Sequence, residues 1–351
     1  MTPDLIRQAL RQVRYPGFSR DIVSFGLIKD IRIEDKQVWI RMEIATRDPA
    51  VPEKIFKDAH AALAEIPDIG TPKIEIEIKD APGQANAGDA TTGKSSIPGV
   101  KHIIAVASGK GGVGKSTVAS NLAVALAATG ARVGLCDCDL YGPSIAMMFG
   151  SSERPMANEH EEIIPIEAHG LKLMSMGFLL EDRSPVIVRG PMATRYTQQF
   201  LRQVAWGELD YLVLDLPPGT GDIQLTIVQT VALDGAVIVT TPQEIALIDA
   251  RKAVAMFARV NVPILGLIEN MAWFECDHGV RYHLFGDAGG VCEAAAIGTP
   301  LLAQIPIEPV VRRSGDSGTP VALMPPAESQ ASAAFHHAAQ ALRQTLSTQA
   351  H

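Results

Sequence analysis

The sequence is poor in the features that bind nucleic acids or membranes. Aromatic residues make up 5% of its 351 residues, too few to predict the base-stacking platforms of single-strand binding proteins. Acidic residues outnumber basic ones, 39 to 31, and the net charge of −8 disfavours binding to DNA or anionic lipid. No apolar run approaches the ~18 residues that span a bilayer, and the first residues lack the apolar core of a signal peptide. We therefore expect a cytoplasmic protein with neither a nucleic-acid nor a membrane partner.

Cysteine is also scarce, with four residues in the chain. In a reducing compartment these thiols are expected to be buried or to ligate a metal rather than to form disulfides. Cys136 and Cys138 flank Asp137 in an apolar stretch, so both side chains point to one face of a predicted strand and are interpreted as packing residues. Cys292 lies in a helical pattern and is predicted to belong to the core.

The sequence does contain a phosphate-binding motif. Residues 109–117 read Gly-Lys-Gly-Gly-Val-Gly-Lys-Ser-Thr and fit the template G-x-x-x-x-G-K-[S/T]. A strand pattern precedes the motif and a helical pattern follows it, the setting in which backbone N–H groups and a helix N-terminus bind phosphate. Lys115 is expected to reach the terminal phosphates and Ser116 to ligate Mg²⁺. The predicted nucleotide-binding residues of the motif are Gly109, Lys110, Gly111, Gly112, Val113, Gly114, Lys115, Ser116 and Thr117.

A second lysine, Lys110, follows the first glycine of the motif and is not required by the template. An additional cation beside the phosphates suggests a charge that acts across a dimer, on the nucleotide of the other subunit. The motif thus predicts both nucleotide binding and self-association.

Two predicted strands end in aspartates. Asp139 follows residues 136–138, and Asp215 follows the apolar residues 211–214. The carboxyl ends of parallel strands face the ligand crevice of an α/β sheet. Hydrolysis of ATP uses one carboxylate at the metal and another group to orient the attacking water. We assign Asp215 to Mg²⁺ and Asp139 to the water, so that Lys110, Lys115 and Asp139 form the predicted catalytic set.

Composition divides the chain into four segments. Residues 1–80 mix helical and strand patterns and predict a small α+β domain, and residues 81–99 have the composition of a flexible linker. Residues 100–325 alternate apolar strands with helices, which predicts an α/β P-loop NTPase with a mostly parallel, doubly wound sheet. Residues 326–351 predict a C-terminal helix and tail. The strands predicted in the large domain include Arg132–Asp137, Tyr211–Asp215, Ala236–Thr241, Ile264–Asn270 and Leu301–Ile305.

Shorter motifs accompany the phosphate loop. They are Asp139–Ser144, Arg189–Met192, Trp206–Tyr211, Asp215–Asp222, Thr240–Gln243 and Glu269–Met271, with Arg20–Leu27 in the small domain. On these motifs the chain resembles the Mrp/ApbC family of iron–sulfur cluster carrier ATPases, relatives of MinD, ParA and the nitrogenase iron protein. The resemblance extends over most of the chain, and residues 1–80 are similar to a small domain often fused ahead of this ATPase.

The resemblance implies a homodimer that sandwiches ATP, with Lys110 reaching the partner's nucleotide and Asn270 reading the adenine base. It also implies a labile 4Fe–4S cluster that bridges the two subunits and is transferred to client apoproteins. A Cys-x-x-Cys pair from each subunit, just after residues 269–271, would hold this cluster. ATP, Mg²⁺ and the cluster are therefore the expected ligands.

The cysteine pair is incomplete in this chain. Cys276 stands at the first cysteine position, Gly279 at the second, and His278 lies between them. A symmetric dimer would offer two Cys276 thiolates with two His278 side chains, a set that leaves a weakly held cluster, a zinc ion or no metal as alternatives. The small domain also lacks the cysteine that often precedes its proline, because Val51 precedes Pro52 here.

Two other functions remain as alternatives to a cluster carrier. A nucleotide-gated adaptor that holds no cluster would be compatible with the missing second cysteine. A positioning ATPase like MinD or ParA would need an anchor, but the tail around Phe335 and Leu342 is only weakly apolar and carries few basic residues.

Overall fold

A computed structural model describes residues 3–13, 21–23, 27–34, 37–45, 50–64, 66, 72–79, 96–140, 142–159, 162–178 and 201–349. The chain separates into two compact units, Met1–Thr92 and Gly93–His351. Most of the predicted linker, Tyr141 of the Asp139–Ser144 motif and the Arg189–Met192 motif lie outside the described residues. Within the described residues, no helix has both the length and the apolar composition that crossing a membrane requires.

In its described residues, the first unit consists of a three-stranded sheet and two helices. Strands β1 and β2 are antiparallel, β2 and β3 are parallel, and β2 lies in the centre. Apolar residues at alternate positions of β2, such as Val38, Ile40 and Met42, are fully or almost fully buried with helical residues such as Ile6 and Ile55. The predicted α+β character is thus observed, with an additional first strand. The elements are α1 (Pro3–Leu10), β1 (Ile28–Glu34), β2 (Gln37–Ala45), α2 (Ala50–Ala64) and β3 (Lys73–Lys79).

The second unit is built on a nine-stranded sheet of order β11-β10-β9-β4-β8-β5-β7-β6, with β12 also paired to β10. Its strands are β4 (Val100–Ala107), β5 (Val133–Asp137), β6 (Ile166–Ala168), β7 (Leu171–Ser175), β8 (Leu209–Asp215), β9 (Gly235–Thr240), β10 (Ile264–Glu275), β11 (Arg281–Tyr282) and β12 (Leu301–Ile307). The described helices are α3 (Lys115–Ala127), α4 (Ile145–Met148), α5 (Asp222–Thr230), α6 (Glu244–Arg259), α7 (Gly289–Ile297), α8 (Pro309–Asp316) and α9 (Gln330–Gln349).

Neighbouring strands of this sheet run parallel except in the β6–β7 and β10–β11 pairs. Strands such as β9 are buried along their whole length, because helices cover both faces of a parallel sheet. Two apolar clusters form the core, one on each face. The predicted doubly wound α/β fold is confirmed.

Helix α9 is an integral part of this unit. Its residues Phe335, Ala338, Ala339 and Leu342 are fully buried in the cluster that includes the apolar face of α3. This helix of the C-terminal segment therefore completes the core of the large unit.

The structure corrects one cysteine prediction. Cys136 and Cys138 are buried as expected, but Cys292 is exposed rather than in the core. Helix α7 turns Gly290, Glu293 and Ala294 toward the sheet, and this three- to four-residue spacing leaves Cys292 on the outer face.

Candidate functional site

The phosphate loop joins β4 to α3, as the motif predicts. Gly112 and Gly114 have φ angles of +85° and +82°, a left-handed conformation that glycine adopts without a steric penalty. Gly114 is the residue that precedes the first turn of α3, and the Ser108 hydroxyl donates to the carbonyl of Lys110 at 2.9 Å. The loop thus places Lys115 and Ser116 at the N-terminus of a 13-residue helix, where the helix dipole favours an anion.

Helix α6 packs tightly against the start of this loop. A Cβ atom placed on Gly109 would overlap the backbone carbonyl of Asp249 and lie 2.7 Å from the nitrogen of Ala250. A Cβ on Gly111 would meet only the Pro218 side chain, at 4.0 Å. The first glycine of the motif is therefore required by packing against α6, a reason distinct from phosphate binding.

Lys115 and Asp215 form a buried ion pair at the carboxyl ends of the strands. The Lys115 ammonium donates to Oδ1 of Asp215 and to the Ser116 hydroxyl, the latter at 3.3 Å. The Lys115 side chain is 6% exposed and that of Asp215 is fully buried. Burial raises the pKa of Asp215, while the Lys115 ammonium and the Ser116 hydroxyl oppose the rise. The Oδ2 atom of Asp215 is buried with no hydrogen-bond partner in the described part of the chain.

Asp137 lies opposite Asp215 in the paired strands β5 and β8, and it organises the loop that carries Asp139. Its carboxylate accepts the N–H of Asp139 at 3.0 Å and that of Ser144 at 3.0 Å, together with the Ser175 hydroxyl at 3.0 Å. Burial first, and then the neighbouring Asp215 carboxylate, raises the pKa of Asp137. Asp137 is not among the site residues that the sequence predicts, although its position between Cys136 and Cys138 is a signal of burial.

Lys110 and Asp139 lie at the same edge of the sheet as Lys115. Within the described ranges no residue forms an ion pair with Lys110. The Asp139 carboxylate accepts the N–H of Gly142 at 3.2 Å. Lys110 is thus part of the loop that follows β4 and Asp139 part of the loop that follows β5, and the catalytic roles assigned to them stay predictions.

Asn270 lies against the phosphate loop. Its side-chain nitrogen donates to the carbonyl of Val113 at 2.9 Å, and a Cβ on Gly114 would overlap this amide. One N–H of the amide is used in this bond, so its second N–H and its Oδ1 atom are the groups left for adenine, and recognition of the base by Asn270 stays a prediction. Asn270 pairs with Ile305 of β12. The next residues of β12, Pro306 and Ile307, line a cavity of about 290 Å³. The lining includes Phe274, Pro306, Ile307, Pro309, Val310 and Arg313.

Cys276 lies at the tip of a hairpin formed by β10 and β11. Its N–H donates to Val280 at 3.0 Å, and its carbonyl accepts the N–H of Gly279 at 2.9 Å. Gly279 has a φ of +73°, the left-handed residue that closes a three-residue hairpin loop. Cys276 is half-buried and His278 is exposed. Among the described residues no group of three or more His, Cys, Asp or Glu side chains that could hold a metal ion is present.

Comparison with known proteins identifies the family. The profile described as NUBPL iron-transfer P-loop NTPase matches residues 99–343, and that described as Iron-sulfur cluster assembly protein matches residues 3–76. The Iron-sulfur cluster carrier protein of Deinococcus radiodurans is 45% identical over 350 residues, covering 98% of this chain and 95% of its own length.

Two solved structures match the large unit. A nucleotide-binding protein from Archaeoglobus fulgidus in complex with ADP is 40% identical, with a TM-score of 0.58 over 64% of this chain and 90% of its own. The cell division ATPase MinD of Pyrococcus furiosus is 23% identical, with a TM-score of 0.53 over 69% of this chain and 98% of its own, and it supports the fold alone. The resemblance inferred from the motifs is therefore confirmed, and the chain belongs to the NUBPL iron-transfer P-loop NTPase family of iron–sulfur cluster carriers.

Proposed function

We propose that this chain is a homodimeric ATPase of the cytoplasm that binds a 4Fe–4S cluster and transfers it to client apoproteins. The observation that carries the proposal is the phosphate loop with its buried Lys115–Asp215 pair, contacted by the same strand, β10, that ends at Glu275, directly before Cys276. The names of the cluster carrier relatives and the ADP complex of the Archaeoglobus protein support it.

Residues 109–117 would bind the phosphates of ATP through backbone N–H groups and the α3 N-terminus. Lys115 would exchange its Asp215 partner for the terminal phosphates, because Lys115 is already at the N-terminus of α3. The unpaired Oδ2 of Asp215 and the hydroxyl of Ser116 are oxygen donors of the kind that Mg²⁺ prefers, so the residues present fit this ion. Bound Mg²⁺ would neutralise charge on the phosphates.

Asp139 would orient the attacking water. Hydrolysis of a phosphoanhydride needs a positioned water more than a strong base, and a carboxylate that accepts the water's proton in a hydrogen bond meets that need. The backbone of Asp139 is fixed by the buried Asp137 carboxylate, so its loop is held relative to β5. Asp137 therefore supports the catalytic group without contacting ATP.

Lys110→Ala should leave ATP binding nearly unchanged and slow hydrolysis on the order of 100-fold or more, because a cation supplied in trans acts mainly on the transition state. The measurement is ATP turnover beside nucleotide affinity. A mixture of Lys110→Ala and Asp139→Asn chains tests the trans arrangement. If Lys110 acts in trans, each mixed dimer has one ATP site at which both the Lys110 ammonium and the Asp139 carboxylate are intact. Recovered turnover supports action in trans, and full turnover by Lys110→Ala alone contradicts any catalytic role.

The cluster is the cargo, and Cys276 is its proposed ligand. Thiolates hold such clusters, and a two-fold dimer would bring two Cys276 side chains together at one position. His278 is exposed beside Cys276 and is the proposed additional ligand. The dimer would supply two thiolates in place of the four of a Cys₄ cluster, so the cargo would be held weakly, in keeping with delivery to clients.

Cys276→Ser should abolish iron and sulfide binding after anaerobic reconstitution, whereas Cys292→Ser should not, because Cys292 is an exposed thiol of another element. Gly279→Cys should raise the iron content, at a cost of about 1–2 kcal/mol for a side chain in the left-handed conformation. The measurements are iron and sulfide analysis, charge-transfer absorbance and activation of an apo-enzyme. Iron binding that survives Cys276→Ser would exclude this site.

The second candidate is an adaptor that uses nucleotide to gate a protein partner without a cluster. It is favoured by Gly279, a glycine in the left-handed conformation that stands at the position expected for the second cysteine. ATP binding without cluster uptake in any reconstitution would support it. A membrane-positioning role is less consistent with the structure, because the apolar face of α9 is buried in the core.

A further inference from the structure

Strand β10 is held in place at Glu269, in the middle of the strand. Strand β10 pairs with β9 up to Glu269, which lies opposite Thr240. Glu269 is fully buried, and its carboxylate accepts the side-chain amide of Gln304 at 2.7 Å and the N–H of Gly290. A buried carboxylate held by donors from β12 and α7 stabilises this point of the strand, because moving it would leave those partners unpaired.

Directly beyond this point the strand is irregular. Asn270 pairs with Ile305 of β12, but the next pair joins Phe274 to Ile307, so four steps along β10 oppose two along β12. Met271 within the bulge has a φ of +58°, which is uncommon for a residue other than glycine. Bulges change the direction of a strand and are frequent beside functional sites. The segment from Phe274 to Tyr282, which carries Cys276, therefore begins at a kink.

The kink touches the phosphate loop. The Asn270 amide that donates to Val113 is 7% exposed, and the Met271 side chain approaches Gly114 closely enough to meet a Cβ placed there at 3.7 Å. The Val113 carbonyl is in the middle of the loop that would wrap the phosphates. Any shift of this peptide on nucleotide binding changes a buried hydrogen bond to β10, whose loss costs about 1–3 kcal/mol.

We propose that Asn270 is a positioning residue: through its bond to Val113 and the kink at Met271, it couples occupancy of the phosphate loop to the position of Cys276. The coupling rests on the proposed function, in that nucleotide fills the loop and Cys276 holds the cargo. It gives the carrier a route by which ATP binding or hydrolysis changes the cargo site through one strand. Asn270 acts on Cys276 six residues along the chain, without contacting the cluster.

The test follows the reactivity of the Cys276 thiol in the full chain, without iron. A Cys292→Ser background removes the exposed thiol, and Cys136 and Cys138 are 0% and 1% exposed, so that a maleimide reports on Cys276. Labelling rates are measured without nucleotide, with Mg·ADP and with Mg and a non-hydrolysable ATP analogue. Light scattering on the same samples separates movement of the hairpin from burial in a dimer.

In the Cys292→Ser chain, nucleotide should change the Cys276 labelling rate by about five-fold or more, the lower range of typical coupling between sites. Asn270→Ala should bring the rates with and without nucleotide together, measured at nucleotide concentrations that saturate each variant. Met271→Gly keeps the Asn270 bond but frees the kink, so it should reduce the nucleotide response with unchanged affinity. Both variants should retain the assembly state of the parent.

Three results would overturn the coupling. A parent chain that binds nucleotide yet labels at one rate excludes it and leaves the proposed ATPase and cargo functions intact. An Asn270→Ala chain with the full nucleotide response shows that another element links the sites. A parent chain that binds no nucleotide overturns the coupling and the proposed function together.

Discussion

Lys115→Met should abolish measurable ATP binding and lower the free energy of unfolding by about 3–5 kcal/mol. Methionine retains much of the side-chain volume but removes the ammonium that would reach the terminal phosphates. It also leaves Asp215 as a fully buried carboxylate without its cation, and an unpaired buried charge is strongly destabilising. Isothermal titration with ATP measures the first effect, and urea unfolding of the full chain measures the second.

Two controls separate these effects. Lys115→Met combined with Asp215→Asn removes both charges, so most of the stability should return while ATP binding remains absent. Lys252→Met breaks the exposed pair with Asp249, joined at 2.9 Å with a lysine side chain 64% exposed, and should change stability by less than about 1 kcal/mol. A Lys115→Met chain that binds ATP normally would remove Lys115 from the nucleotide site.

The parts of the site that the sequence predicts are those whose chemistry lies in a continuous run of residues. The phosphate loop, its flanking strand and helix, and the strand that ends in Asp215 each follow from local patterns of glycine and apolar residues. The family resemblance rests on the same short runs. The structure places Lys115 and Asp215, 100 residues apart in sequence, in direct contact.

The parts that the sequence does not predict depend on partners distant in the chain. Asn270 and Val113 are separated by 157 positions, and nothing local to either residue indicates a hydrogen bond between them. Asp137 is distinguished from Asp139 only by burial between β7 and β8. The prediction that Cys292 belongs to the core is wrong because α7 is apolar on most sides. Its composition therefore does not reveal which face of the helix meets the sheet.

Short and exposed strands are a further class that pattern alone misses. Strand β6 has three residues, of which Ile166 is buried, and β11 has two exposed residues, so both are too short to offer the alternation that marks a half-buried strand. Strand β10 extends to Glu275, five residues beyond its predicted end at Asn270, because β11 and β12 pair with its far end after the bulge. This extension is what connects the phosphate loop to Cys276.

Gly109→Ala should be the most damaging single-carbon change in the phosphate loop. The added methyl group would overlap the backbone carbonyl of Asp249, and a backbone atom of a packed helix has no rotamer by which to move away. Either α6 or the loop must shift, which should cost about 3 kcal/mol or more, at the upper end of overpacking effects. A displacement of about 1 Å at the phosphates should lower ATP turnover on the order of 100-fold.

Matched glycine variants test the cause of this loss. Gly111→Ala lies in the same loop with its nearest neighbour 4.0 Å away, so its unfolding free energy should stay within about 0.5 kcal/mol of the parent. Gly315→Ala, in α8 with open space around it, should be neutral or slightly stabilising and leave turnover unchanged. Urea unfolding and ATP turnover are measured for all three variants. If Gly109→Ala and Gly111→Ala lose stability equally, contact with α6 is not the reason that glycine occupies position 109. If Gly109→Ala alone loses both stability and turnover, the first glycine of the phosphate motif holds the nucleotide loop against α6 before any nucleotide is bound.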